Sequence, residues 1–126
     1  MDARQFSKQT QSEYTSSGDV ALALNWGGDG IPVLLDNNKA LVIGRSADSD
    51  VYFPENATSR VHARIQWQGT HFLLSDCSTN GSFLRTEDEQ VRFIRREGVR
   101  LWGEGSICFA GAGFSGCVLN FRHISR

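Results

Sequence analysis

VHARIQW, residues 61–67, is the stretch on which the fold class turns. Val61, Ala63, Ile65 and Trp67 fall on one side of an extended chain, and His62, Arg64 and Gln66 on the other. A period of two is the mark of a half-buried strand; a helix would repeat its apolar positions every three or four residues. Short runs of the same kind lie on both sides. Toward the amino terminus come DVYF, ALVIG, IPVLL and VALALNW; toward the carboxyl terminus come THFLLSD, SFLR, QVRFI, VRLW, SICFA and CVLNFRHI. Turn-forming residues separate them, and the chain has 13 glycines to supply such turns. QVRFIRREGVR is ambiguous by itself, but no long stretch keeps a helical period with caps. The pattern implies an all-β sandwich or barrel.

The 126 residues are enough for one domain with a single core. Residues 1–18, MDARQFSKQTQSEYTSSG, are polar and aperiodic and read as a flexible tail, leaving 19–126 as the domain. A net charge of −1 gives no reason to expect nucleic acid or an anionic membrane as partner. Cys77, Cys108 and Cys117 are odd in number and without a C-x-x-C pair, which argues against a disulfide framework or a zinc site and suits a reducing cytosol. No apolar run approaches the roughly 18 residues that span a bilayer, and the polar amino terminus does not read as a signal peptide. A cytoplasmic location is the expectation.

Several motifs fail when their surroundings are considered. GAGFSG, residues 111–116, matches the dinucleotide pattern but runs into a strand-like segment instead of a helix, so it reads as a hairpin loop. Ser59 and His62 invite a hydrolase reading, yet residues three apart on a strand face opposite ways, and no carboxylate is placed to orient the histidine. Glu87, Asp88 and Glu89 read as an exposed turn. Arg92, Arg95, Arg96 and Arg100 lack interleaved aromatics and read as a solvated strand face. No metal ligand set, cofactor motif or catalytic group emerges, and no enzyme is expected.

Three stretches share one chemistry: GRSADSD at 44–50, TSRVH at 58–62 and STNG at 78–81. Each offers oxyanion donors in the form of an arginine, a hydroxyl, an amide or glycine-freed backbone N–H groups. Singly each is weak, since Thr-Asn-Gly is commonly a hairpin turn. In this order, Gly44-Arg45, Ser59-Arg60-Val61-His62 and Asp76-Cys77-Ser78-Thr79-Asn80-Gly81 resemble the forkhead-associated (FHA) domain, over about residues 20 to 123.

That resemblance implies an FHA/SMAD-like two-sheet β-sandwich of about eleven strands, which binds phosphothreonine peptides through loops at one end. Arg45 would meet the phosphate with a charge-assisted contact, Ser59 and Thr79 would donate hydroxyl hydrogen bonds, and Arg60 would add charge or touch the peptide main chain. Asn80 would grip peptide backbone beside the phosphothreonine. Gly44, His62, Asp76 and Gly81 would support these loops, while Trp26, Trp67, Val61, Ile65, Phe72 and Leu74 would pack. The partner implied is a threonine-phosphorylated protein or peptide. The segment FIRREGVRLWGEGSICFAG is similar to modules of bacterial class III nucleotide cyclases, which makes a cyclase a candidate partner; phosphorylation-dependent binding makes a Ser/Thr kinase another. The rival reading is a phosphate-independent interaction or oligomerisation domain regulating an attached or partner cyclase.

Overall fold

The computed structural model describes residues 20–26, 32–55, 57–109 and 117–125. The segment 1–18 read as a tail and the GAGFSG motif at 111–116 lie outside these residues. Eleven strands form among the described residues: β1 Val20–Asn25, β2 Val33–Leu35, β3 Ala40–Gly44, β4 Val51–Tyr52, β5 Ala63–Trp67, β6 Phe72–Asp76, β7 Ser82–Thr86, β8 Val91–Ile94, β9 Gly98–Leu101, β10 Glu104–Cys108 and β11 Val118–Ser125. They make a sandwich of two sheets. One runs β9-β6-β5-β3-β4 and the other β2-β1-β11-β10-β7-β8. The pairings are antiparallel except for the short β3–β4 pair, which is parallel.

Apolar side chains from the two inner faces form the core. Leu22, Leu24, Ile107 and Leu119 come from the six-stranded sheet and Ile43, Ile65, Phe72 and Leu74 from the other, all fully buried. Each such burial contributes about 1.5–3 kcal/mol. Within β5 the alternation holds: Ala63 and Ile65 are buried while Arg64 and Gln66 are exposed. Just upstream it inverts, with Val61 40% exposed and His62 fully buried. The strand starts at Ala63 and the chain bends through 61–62, so the period of two no longer applies there. The packing role expected of Val61 is therefore wrong, whereas Trp26 and Trp67 do pack against the core.

The ambiguous QVRFIRREGVR resolves into β8, a bend at 95–97, and β9. This bend crosses from one sheet to the other, as does the 77–81 connection between β6 and β7. The two crossings are tied together, because the Asp76 N–H donates to the Glu97 carbonyl at 2.9 Å. Among the described residues no helix is long and apolar enough to cross a membrane.

Candidate functional site

Three loops meet beside those crossings. The first follows Gly44, the last residue of β3. A Cβ on Gly44 would lie 2.1 Å from the Arg60 carbonyl oxygen, so only glycine lets the second loop pass this close. The contact is then sealed by the Arg45 N–H donating to the Ser59 carbonyl at 2.9 Å and the Ser46 N–H donating to the Arg60 carbonyl at 3.2 Å. Exposed Arg45 donates its Nε–H to the Thr58 carbonyl at 3.0 Å. Its two Nη groups are unengaged among the described residues.

The second and third loops are stitched at Ser59. Its Oγ accepts the Thr79 N–H at 3.0 Å, and Asn80 Nδ2 donates to the Ala57 carbonyl at 3.1 Å. With one lone pair of Ser59 taken by Thr79, its hydroxyl hydrogen is left for an external acceptor. Thr79, Asn80 and Arg60 are exposed on the rim.

Beneath the rim sits His62. The Ser59 N–H donates to its Nδ1 at 3.1 Å, so the ring proton resides on Nε2, which faces the Gly81 carbonyl at 2.9 Å and Ser82 Oγ at 3.0 Å. Burial pushes the His62 pKa below 6.5, against the opposing pull of the Gly81 hydrogen bond and the Asp76 charge. The ring is thus a neutral brace between loops. Ser59 and His62 do not form a nucleophile–base pair, since only the Ser59 backbone N–H reaches the ring while its hydroxyl oxygen accepts from Thr79; Ser82, which does meet Nε2, is fully buried and donates its hydroxyl to Asp76.

Asp76 is the second hub. Its Oδ1 accepts the Ser78 N–H at 2.9 Å, the Ser78 hydroxyl at 2.8 Å and the Arg96 N–H at 3.0 Å, while Oδ2 accepts the Ser82 hydroxyl. Desolvation works to raise its pKa, but these hydrogen bonds outweigh it and hold the carboxyl below its usual range. Ser78 Oγ in turn accepts the Gly81 N–H at 2.7 Å. Gly81 has φ of 86° and a Cβ there would strike Phe93 at 2.4 Å, a second position that only glycine fills.

The structure therefore gathers Arg45, Ser59, Arg60, Thr79 and Asn80 at one rim, with Gly44, His62, Asp76 and Gly81 underneath. Sequence reasoning missed four contributors. Ser78 and Ser82 complete the Asp76 network. Arg95 and Arg96, read as part of a strand face, lie instead in the 95–97 bend and donate Nε–H to the Thr79 and Ser78 carbonyls at 2.8 and 3.1 Å. No strand period could have found them, because they leave β8 before they act. Arg92 and Arg100 do lie exposed on strands.

The rim is shallow. Cavities of about 610 and 630 Å³ open elsewhere, near Arg122 and near Trp102, and do not include Arg45 or Ser59. Among the described residues no group of three or more His, Cys, Asp or Glu side chains could hold a metal ion. Exposed, donor-rich loops suit an extended anionic segment.

A family profile described as FHA domain matches residues 41–107, more than half of the chain. The chain belongs to the FHA family. A comparison with curated proteins found no match. Among solved structures, this FHA domain is similar to Mycobacterium tuberculosis Rv1747 FHA-1, with 19% identity, a TM-score of 0.66, and coverage of 86% of this chain and 99% of that one. It is similar to M. tuberculosis EmbR, solved in complex with a low affinity phosphopeptide, at 26% identity and a TM-score of 0.61, over 83% of this chain and 24% of EmbR. The N-terminal FHA domain of S. cerevisiae Rad53p, solved in complex with a phosphothreonine peptide, matches at 20% identity and a TM-score of 0.59, over 84% of this chain and 94% of that one. The matched segment of the FHA domain runs from β3 to β10 and contains all three rim loops.

Proposed function

We propose that this FHA domain binds threonine-phosphorylated segments of partner proteins, making an association depend on phosphorylation. The observation that carries the reading is the presentation of Arg45. Its Nε is tethered to the Thr58 carbonyl, next in sequence to Ser59, its two Nη groups are unengaged among the described residues, and the Ser59 hydroxyl keeps its hydrogen available. A phosphate of about −1.5 to −2 charge is the natural acceptor for that set. In this reading Arg45 and Ser59 hold the phosphate, Arg60 adds charge, and Thr79 and Asn80 hold the adjoining peptide main chain. Gly44, His62, Asp76 and Gly81 keep the loops in place. The phosphopeptide complexes of EmbR and of Rad53p support the assignment.

The domain acts as a binding module in the cytoplasm, with no catalysis of its own. The resemblance of the segment from Phe93 to Gly111, FIRREGVRLWGEGSICFAG, to cyclase-associated modules favours a signalling protein linked to a nucleotide cyclase as the setting, with a Ser/Thr kinase as a further candidate partner. Calorimetry with a phosphothreonine peptide and its unphosphorylated twin tests the reading. Only the phosphorylated form is expected to bind, and Arg45→Ala should weaken it roughly 10- to 100-fold, the loss of a charge-assisted hydrogen-bond pair. Equal binding of both forms, or an Arg45→Ala variant indistinguishable from the parent, overturns it in favour of phosphate-independent association.

A further inference from the structure

Four arginines crowd this end of the sandwich, and Thr79 stands between them. Its N–H faces Ser59, which is flanked by Arg45 and Arg60, while its carbonyl receives Arg95, followed by Arg96 on the neighbouring Ser78 carbonyl. Among the described residues none of the four has a carboxylate partner. Glu97, the acid adjoining Arg96, is paired with Arg92 at 3.3 Å. Asp76 is buried, and on Arg96 it engages the backbone N–H only.

Arg95 is presented as Arg45 is, with Nε on a loop carbonyl and, among the described residues, both Nη groups unengaged. One phosphothreonine brings a charge of about −1.5 to −2, which Arg45 and Arg60 already match. Arg95 and Arg96 then leave two further positive charges at the rim without a counterpart among the described residues. We infer that Arg95, assisted by Arg96, forms a second anion subsite that takes a second phosphoryl group on the same partner segment. The inference rests on the reading of Arg45, Ser59 and Thr79 as a phosphothreonine pocket. A dianionic phosphoryl group fits two guanidinium forks in charge and in bidentate geometry, whereas a single carboxylate offers half the charge.

The test uses the full chain and calorimetry with peptides that share one phosphothreonine. Phosphoserine, glutamate or serine is placed at each neighbouring position on both sides. At one position, or two adjacent ones, phosphoserine should strengthen binding about tenfold over serine, and glutamate by less. The quantity read is the ratio of the two affinities, which cancels any loosening of the loop common to both peptides. Arg95→Ala should bring that ratio close to one, Arg95→Lys should restore part of it, and Arg100→Ala, stacked on Trp102 away from the rim, should leave it unchanged. A ratio of one at every position in the parent, or a ratio that survives Arg95→Ala, overturns the second subsite while leaving the first. Failure of the singly phosphorylated peptide to bind overturns the phosphothreonine reading and this subsite with it.

Discussion

At His62 the two ring nitrogens have opposite duties, Nδ1 accepting the Ser59 N–H and Nε2 donating toward Gly81. A second ring proton would set Nδ1–H against Ser59 N–H, donor against donor. Burial already holds the pKa below 6.5, so the folded ring binds its second proton less readily than the unfolded one. The stability this confers is complete above about pH 6.5 and is lost as pH falls below that value toward the depressed folded pKa. We expect the His62 ring to titrate by NMR with a midpoint under 6.5, and unfolding midpoints in urea to fall over the same acid range. A midpoint above 6.5 would contradict the bracing geometry. Asp76 acts further down: its lowered pKa contributes stability above about 3.8 that acid removes as the carboxyl protonates. Of these residues, the short blocks around Arg45, Ser59 and Asn80 were legible because each is a contiguous run. Two partners of Asp76 were not, since Ser82 and Arg96 reach it only once two sheets have been assembled.

Strands were the legible elements. Alternation and turn residues are local properties, and each of the eleven apolar runs overlaps one strand. The 95–97 bend escaped because nothing in Arg-Arg-Glu announces a left-handed residue, yet Arg96 sits at φ of 55°. A side chain there costs about 1 kcal/mol relative to glycine. This separates backbone strain from the guanidinium contact. Arg96→Gly and Arg96→Ala both lose the bond to the Ser78 carbonyl, but the glycine variant should be the more stable by about 1 kcal/mol in denaturant titrations. An alanine variant equal to it or better would show that the bend relaxes and that Arg96 is unstrained.

On the scale of the whole molecule, the rim is fastened to both sheets. Asp76 ends β6 in one, Ser82 opens β7 in the other, and the 95–97 bend returns between them. A ligand that bridges the rim loops therefore acts on global stability and not on a loose appendage. At a phosphopeptide concentration of 100 times its Kd, linkage contributes about 2.7 kcal/mol, which for a domain of this size raises Tm by on the order of 10 °C. The unphosphorylated peptide should leave Tm where it was. A calorimetric shift that is absent despite measured binding would mean that the loops order independently of the sandwich.

The seam between Ser59 and Thr79 has a consequence in time. With Ser59 Oγ already held by the Thr79 amide and Arg45 already moored to Thr58, no loop has to rearrange before a ligand docks. Encounter alone then governs how fast a partner arrives, and partners are told apart by how long they stay. Such a surface registers its partner's phosphorylation at the speed of encounter and lets go at the pace its own dissociation sets.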